Sequence, residues 1–283
     1  HSEVMKMLDK LLKKVEKPIR YTGGEINMCK KDLKNIKSRI AFCFPDIYEI
    51  GMSHLGMKIL YDLYNRREDT YCERVYSPWP DLDKIMREEN IPLFGLETQT
   101  PIKDYDWLAI TIQYEMCYTN ILQVIELSQI PIYAKDRVKG QPFVIGGGPC
   151  TVNPEPMADF FDMFYIGEGE TSYDELLDLY KVYKNSDMTR EEFLRKASNV
   201  PGIYVPSLYD VSYNGDGTVK EIMALYDDVP DKILRQVVTD FSEVSYPMKP
   251  VIPYIKVTQD RVCLEIMRGC IRGCRFCQAG MIY

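Results

Sequence analysis

Three cysteines near the end of the chain have the type and spacing needed for metal chemistry. Cys270, Cys274 and Cys277 form a C-x3-C-x2-C pattern. Thiolates this close together can all reach one iron–sulfur cluster, since such clusters are held by cysteine sulfur. A cube-shaped cluster has four irons, so three ligands leave one iron open to bind another group. Gly269 and Gly273 allow the backbone to fold tightly around such a cluster.

A zinc site is the main alternative for these cysteines. Structural zinc prefers four closed ligands, and only one further cysteine, Cys263, lies nearby, so the pattern favours the cluster. Disulfides are not expected, because nine cysteines, an odd number, without a secretion signal indicate a reduced, cytoplasmic protein. The scattered cysteines are expected to be buried thiols within or beside strands: Cys29, Cys43, Cys72, Cys117 and Cys150.

An alternation of short apolar strands with helical stretches precedes the cysteines. Continuous apolar strands separated by helices predict an α/β fold, with a parallel sheet covered on both faces. The predicted strands are 39–44, 73–76, 107–112, 143–146 and 163–167. The predicted helices are 55–63, 81–89, 119–128, 172–183 and 189–195.

The chain divides into four predicted regions. Residues 1–38 read as an amphipathic helix, with Val4, Leu8 and Leu11 on its apolar face, and an extension. Residues 39–185 form the α/β domain. Residues 186–255 hold a helix, a hairpin of strands 204–213 and 219–225, and a proline-containing linker. In residues 256–283, a strand over 262–267 is expected to carry the cysteine loop at its carboxyl end, where chemistry gathers in α/β sheets and barrels.

Two glycine-rich turns follow predicted strands directly. These are Gly146-Gly-Gly-Pro149 and Gly167-Glu-Gly-Glu170. Glycine there allows the backbone to approach a flat or phosphorylated ligand closely. Neither turn fits G-x-G-x-x-G or the P-loop pattern, so a dinucleotide or ATP site is only weakly indicated. Plain chain connection is the alternative for each turn.

Composition excludes some classes of function. A net charge of −7 gives no general attraction to nucleic acid. Four arginines near the cysteines could still form a local basic patch, pair with charges at the cluster, or be solvated: Arg261, Arg268, Arg272 and Arg275. No apolar run approaches the length of a membrane span, so no membrane partner is expected.

The cysteine loop, with Phe276 before its last cysteine, resembles that of the radical S-adenosylmethionine (SAM) enzymes. The resemblance implies a [4Fe-4S] cluster whose open iron is chelated by the amino and carboxylate groups of SAM. An electron from the cluster then splits SAM into methionine and a 5′-deoxyadenosyl radical. It also implies that Phe276 lies beside the adenine, and that a flavodoxin or ferredoxin supplies the electron.

The α/β region resembles the cobalamin-binding type of domain found upstream of many radical SAM barrels, with a Rossmann-like (flavodoxin-like) sheet. The similarity lies in residues 44–56, 146–149 and 166–170. It implies a cofactor face, with cobalamin as a further cofactor, formed by Ser53, His54, Gly146, Gly147, Gly148, Gly167, Glu168 and Gly169. The D-x-H-x-x-G pattern of an axial histidine is not matched around His54, since its Asp and correctly placed Gly are missing. A histidine capping the start of a helix is the alternative.

Three functions compete on this basis. The first is a radical SAM enzyme, acting on an unknown substrate such as RNA or a small molecule. The second is a methylthiotransferase, for which Cys43, Cys72 and Cys150 would have to bind a second cluster, although their contexts match poorly. The third is a non-catalytic module that binds a corrinoid or a partner. Because a radical SAM barrel needs further β/α units after its cluster loop, the chain is expected to be a fragment that is inactive alone.

Overall fold

A six-stranded sheet forms the centre of the computed structural model, which describes residue 8 and residues 10–283. Its strand order is β2-β1-β3-β4-β5-β6, in which β1 to β5 are parallel and β6 is antiparallel to β5. The order 2-1-3-4-5 is that of flavodoxin-like folds, so the predicted Rossmann-like fold class is confirmed. The strands are β1 (Ser38–Phe44), β2 (Thr70–Tyr76), β3 (Trp107–Thr111), β4 (Phe143–Gly147), β5 (Met163–Tyr165) and β6 (Ile203–Tyr204).

Helices cover both faces of this sheet, and five of the described helices lie at predicted positions. Along β1, Ala41 and Cys43 belong to one buried cluster, whereas Ile40 and Phe42 belong to the other. Alternate residues of a strand point to opposite faces, so both faces are apolar and both need a cover. The helices are α1 (Tyr48–Gly51), α2 (Leu55–Arg66), α3 (Pro80–Glu88), α4 (Tyr118–Leu127), α5 (Tyr173–Lys184), α6 (Arg190–Ala197) and α7 (Ala279–Ile282). None of the described helices is long and apolar enough to cross a membrane.

Short 3₁₀ turns connect these elements. They are Leu12–Lys14, Pro18–Tyr21, Leu33–Asn35, Ile102–Asp104, Glu115–Cys117, Ala134–Asp136, Pro149–Val152, Glu155–Phe160, Pro206–Leu208 and Phe241–Glu243. Of the predicted N-terminal helix, Leu8 and Leu11 are helical and buried, while Val4 lies outside the described residues. The prediction extended the helix to Leu12 and Val15, but the structure has the 3₁₀ turn Leu12–Lys14 there and an extended backbone at Val15.

The predicted strand over residues 204–213 is wrong as a single element. Ile203–Tyr204 is β6, which joins the central sheet beside β5, and the 3₁₀ turn Pro206–Leu208 separates it from β7 (Tyr209–Tyr213). Pro206 explains the break, because proline has no N–H to donate to a ladder. The hairpin itself is confirmed, since β7 pairs antiparallel with β8 (Val219–Ala224).

The predicted strand over residues 262–267 is also wrong. These residues form an irregular, extended segment with no strand partner among the described residues. Val262, Leu264 and Ile266 are exposed. The backbone N–H and C=O groups of a β-strand must pair with those of a neighbouring strand. An apolar run without such a neighbour therefore does not form a strand. Below, residues 262–283 are called the C-terminal segment.

Buried charges hold the N-terminal extension against edge strand β2. The Arg74 guanidinium lies 2.7 Å from carboxylate oxygens of both Glu25 and Glu97, and all three side chains are almost fully buried. Although burial opposes its charge, the carboxylates raise the pKa of Arg74 well above its ordinary value. Breaking such a pair is costly, because a buried charge would be left without a partner.

The capping box of α6 supports a stability prediction. The Thr189 hydroxyl accepts a hydrogen bond from the Glu192 N–H, and the Glu192 carboxylate accepts one from the Thr189 N–H. We expect Thr189→Ala to lower the free energy of unfolding by about 1 kcal/mol, because the helix loses a cap. Thr189→Ser, which keeps the hydroxyl, is the control. Urea unfolding measures both, and equal losses in the two variants would contradict the prediction.

Candidate cofactor site

A cavity of about 400 Å³ lies at the carboxyl ends of β1, β3, β4 and β5. This is the edge of a parallel sheet at which ligands bind in open α/β folds. Its apolar lining includes Phe42, Ile59, Leu60, Tyr64, Ile145 and Tyr165. The volume is within the range of small-molecule sites, towards its lower end.

The glycines at the carboxyl end of β4 form part of the cavity wall, as the sequence predicted for a ligand face. A Cβ added at Gly146 would lie 2.7 Å from the Phe164 ring, so core packing requires glycine there. Gly148 has φ of +100°, a backbone conformation that favours glycine. A Cβ at Gly147 would meet no atom within 4 Å. Gly147 is therefore where a ligand can approach the backbone.

The turn after β5 contributes another part of the cavity wall, beside the part formed by the β4 glycines. Gly167 has φ of +118° and forms a parallel bridge with Gln236. An added Cβ at Gly167 would lie 2.2 Å from the Gln236 carbonyl oxygen. The Glu168 N–H donates to the same carbonyl at 3.0 Å. The chain around Gln236 therefore fixes this turn and directs Glu168 and Gly169 to the cavity.

His54 lines the cavity but is already used as a helix cap. Its Nδ1 accepts a hydrogen bond from the Met57 N–H at 3.2 Å, at the start of α2. Burial lowers the pKa of His54 below its ordinary value, which favours the neutral ring. Because Nδ1 is an acceptor, the proton of the neutral ring is on Nε2. Metal ligation through Nε2 would require the proton on Nδ1 and would break the cap.

Ser53 does not line the cavity. Its hydroxyl donates to the Glu49 carbonyl at 2.7 Å and accepts from the Gln259 N–H at 2.9 Å. Ser53 therefore joins the end of α1 to the chain that leads to the C-terminal segment. The structure brings His54, the three glycines at the carboxyl end of β4 and residues 167–169 together, and leaves Ser53 outside.

The C-terminal segment covers the mouth of the cavity. Glu265, Met267, Arg268, Gly269 and Tyr283 all contribute to its lining. Gly269 packs closely against the backbone of Tyr283: a Cβ added at Gly269 would lie 3.3 Å from the carbonyl carbon and oxygen of Tyr283. The C-terminal segment therefore folds back so that its end lies beside the start of the cysteine loop.

Charge at the rim of the cavity is predominantly negative. The charged residues of the lining are three carboxylates, Glu168, Glu170 and Glu265, and one guanidinium, Arg268. Arg268 lies 2.5 Å from Glu170, 2.9 Å from Glu265 and 3.5 Å from Glu168. Burial disfavours its charge, but hydrogen bonds from Arg268 to Glu265 and Glu170 raise the pKa of Arg268 overall. The rim therefore suits hydrogen-bond donors or positive charge better than a free anion.

The three motif cysteines lie in the exposed loop that follows Arg268. Cys270, Cys274 and Cys277 are all exposed, and the Cys277 N–H donates to the Cys274 carbonyl at 3.0 Å. Gly269 and Gly273 have positive φ angles of +81° and +62°. Among the described residues, no group of three or more His, Cys, Asp or Glu side chains is gathered as a metal site. The donor set of three nearby thiols nevertheless fits an iron–sulfur cluster.

Phe276 lies in the same loop and is 92% exposed. It does not line the cavity. The implied contact between Phe276 and an adenine therefore stays a prediction.

The remaining cysteines do not form a second group. Cys43 and Cys72 are fully buried in the two different core clusters, on opposite faces of the sheet. One iron–sulfur cluster cannot bind thiolates that lie on opposite faces of the sheet. Cys117 is also buried, whereas Cys29 and Cys150 are partly exposed. Burial raises the pKa of Cys150 to about 11, which disfavours its thiolate.

Comparison with known proteins places the sheet region of the chain in a family. Residues 56–206, about half of the chain, match the family described as "Radical SAM proteins, N-terminal". The chain belongs to this family. The match covers nearly all of α2, strands β2 to β6 but not β1, and both glycine turns, and thus most of the cavity of this radical SAM N-terminal region.

Two individual proteins are similar to the chain. An uncharacterized protein of Methanocaldococcus jannaschii is 27% identical over 254 residues, which are 89% of this chain and 43% of that protein. The chain thus spans less than half the length of this curated relative. The cobalamin-dependent S-adenosylmethionine radical enzyme OxsB, solved with aqua-cobalamin and S-adenosylmethionine bound, is 12% identical. It aligns with a TM-score of 0.35 over 68% of this chain and 24% of its own.

Proposed function

We propose that the chain is part of a radical SAM enzyme that binds a [4Fe-4S] cluster through Cys270, Cys274 and Cys277. Family membership and the C-x3-C-x2-C loop support this proposal. In the proposed division of the chain, residues 39–185 are the cofactor-binding region, 186–255 connect, and 256–283 begin the radical SAM domain. The observation that carries most weight is that the cysteine loop directly follows the residues covering the cavity.

The cluster, when bound, would supply the electron that cleaves SAM. The chain's own residues bind the cluster and shape its surroundings. The three thiolates hold iron, and the glycines that directly precede Cys270 and Cys274 permit the tight loop that this requires. Glu265, Met267, Arg268 and Gly269 cover the neighbouring cavity. We further propose that Phe276 packs beside the adenine of SAM.

We propose cobalamin as the ligand of the face formed by the two glycine turns. The apolar wall and the backbone open at Gly147 suit a flat ring, and the rim carboxylates suit the N–H donors of amide substituents. A corrinoid is larger than the covered cavity, so its binding requires movement of the C-terminal segment. The His54 cap argues for binding without an axial histidine, with the ring contributing its Nε2–H or its edge.

The alternative enzymes differ in the number of clusters. A methylthiotransferase would require a second set of three cysteines, and the opposite placement of Cys43 and Cys72 supports no such set. The substrate class, RNA or small molecule, stays open in this proposal. We propose a cytoplasmic location and a flavodoxin or ferredoxin as electron donor, as the resemblance implies.

Iron counting and SAM cleavage test this proposal. The full-length protein that carries residues 1–283 would be reconstituted anaerobically with iron and sulfide, then reduced with dithionite in the presence of SAM. We expect about four irons per chain and formation of 5′-deoxyadenosine. About eight irons would favour the two-cluster alternative. A protein that binds corrinoid but neither iron nor SAM would instead be a non-catalytic module.

A further inference from the structure

We propose that Arg268 is a positioning residue that anchors the cysteine loop to the rim of the cavity. This inference rests on the proposed function for its purpose, although the contact itself does not depend on a bound cluster. Arg268 lies two residues before Cys270. Its guanidinium contacts the Gly167–Glu170 turn, which comes from the end of β5.

The geometry makes Arg268 a bridge between two parts of the chain. Its Nη2 reaches Glu170 at 2.5 Å and its Nη1 lies 3.5 Å from Glu168, whereas Glu265 holds the guanidinium within its own segment at 2.9 Å. The side chain is 18% exposed, so solvent screens these pairs less than it would on an open surface. Arginine suits this position because its planar group binds several carboxylates simultaneously.

The acceptor side of this bridge is itself rigid. Glu168 also accepts a hydrogen bond from the Val238 N–H, and Gly167 is bridged to Gln236. The Arg268 guanidinium also lies over the ring of Phe241, whose centre is 5.5 Å from the guanidinium carbon. A fixed turn can therefore determine where Arg268, and the loop after it, is placed.

Contacts of the residues that follow the cysteine loop hold its other end. Arg235, one residue before Gln236, donates a hydrogen bond to the Ile282 carbonyl. The N–H groups of Met281, Ile282 and Tyr283 each donate to a backbone carbonyl in the last turn of the segment. The cysteine loop is thus held on both sides by the same wall of the cavity. A ligand that enters the cavity and displaces the cover would also release the loop.

Hydrogen exchange of the iron-free chain tests the anchor directly. With Arg268→Met, we expect the amides of residues 281–283 to exchange about tenfold faster, because charge-assisted hydrogen bonds across the rim are lost. Arg261→Met is the matched control: Arg261 lies in the chain just before the C-terminal segment, and its exposed side chain pairs with none of the described residues. Exchange in β1 and β3 should stay unchanged in both variants, which shows that the sheet remains folded.

A charge exchange distinguishes positioning from general stabilisation. Glu170→Arg and Arg268→Glu should each speed exchange. The double variant should exchange more slowly than either single variant, because one pair is re-formed in reverse, although Glu265 and Glu168 still repel a carboxylate at position 268. Glu175→Gln, at an exposed carboxylate of α5, controls for loss of negative charge. Equal exchange in wild type and Arg268→Met, or no slowing of exchange in the double variant relative to the single variants, would overturn the anchor.

Iron retention provides the second measurement. In reconstituted full-length protein, Arg268→Met should lose iron to a chelator several-fold faster than Arg261→Met, with Arg268→Lys between wild type and Arg268→Met. Retention equal to that of the Arg261→Met control would show that the anchor does not serve the cluster. Absence of iron in the wild type would refute the proposed function and leave the exchange result as the test of the anchor.

Discussion

Replacing Cys270, Cys274 and Cys277 together with alanine is expected to reduce reconstituted iron from about four atoms per chain to almost none. Each cysteine supplies one thiolate, and elsewhere among the described residues no group of three or more His, Cys, Asp or Glu side chains is gathered to replace them. The fold should persist, because all three side chains are exposed and support no core packing. Iron and sulfide assays measure the effect, together with the visible absorption of the cluster.

Cys263→Ala is the matched control for this experiment. Cys263 lies in the same segment, seven residues before Cys270, and its thiol makes only weak contacts with Gln259 and the Arg261 carbonyl. It should retain all iron and produce 5′-deoxyadenosine at the wild-type rate. Iron that survives in the triple variant, or that disappears in Cys263→Ala, would show that the cluster ligands have been assigned incorrectly.

Filling the cavity from Gly147 is expected to weaken corrinoid binding by about tenfold to a hundredfold. A leucine there would extend into open space, since a Cβ at Gly147 meets no atom within 4 Å and the residue lines the cavity. The backbone of β4 should tolerate Gly147→Leu, because its φ is not positive. The ligand, in contrast, would meet a side chain where it had approached the backbone.

Titration with hydroxocobalamin, followed by its absorption, measures this effect. Gly215→Leu is the control, because Gly215 is exposed in the hairpin turn and an added Cβ also meets nothing within 4 Å. Both variants should unfold at the wild-type temperature. Unchanged corrinoid affinity in Gly147→Leu would place the ligand elsewhere, and absence of binding in the wild type would remove cobalamin from the proposed function.

Much of the sheet domain could be predicted from local sequence patterns. The strands β1 to β5 and helices α2 to α6 lie where apolar runs and helical periodicity indicated, because a buried parallel sheet needs continuous apolar strands. The two failures lie where pattern is insufficient. Residues 262–267 have the apolar composition of a strand without a partner to pair with, and β6 depends on its position beside β5.

The candidate site, like the fold, could be predicted only in part from the sequence. Glycines directly after β4 and β5 are visible in the sequence, and parallel strands place their carboxyl ends at one edge, so these turns could be expected to meet. The roles of Ser53 and His54 could not be predicted from residue type alone. The structure uses the Ser53 hydroxyl to join two segments and the His54 ring to cap α2. Such roles depend on hydrogen-bond partners that spacing does not reveal.

The sequence by itself determined the α/β fold, the family and the candidate ligands Cys270, Cys274 and Cys277, because each depends on residues close together in the chain. Only the tertiary structure decided that Arg268 pairs with Glu170, 98 residues away, and that the segment containing Glu265 covers the cavity. Charged residues far apart in sequence have many possible partners. Folding selects one of them by bringing specific carboxylates within reach in a place where water screens them less.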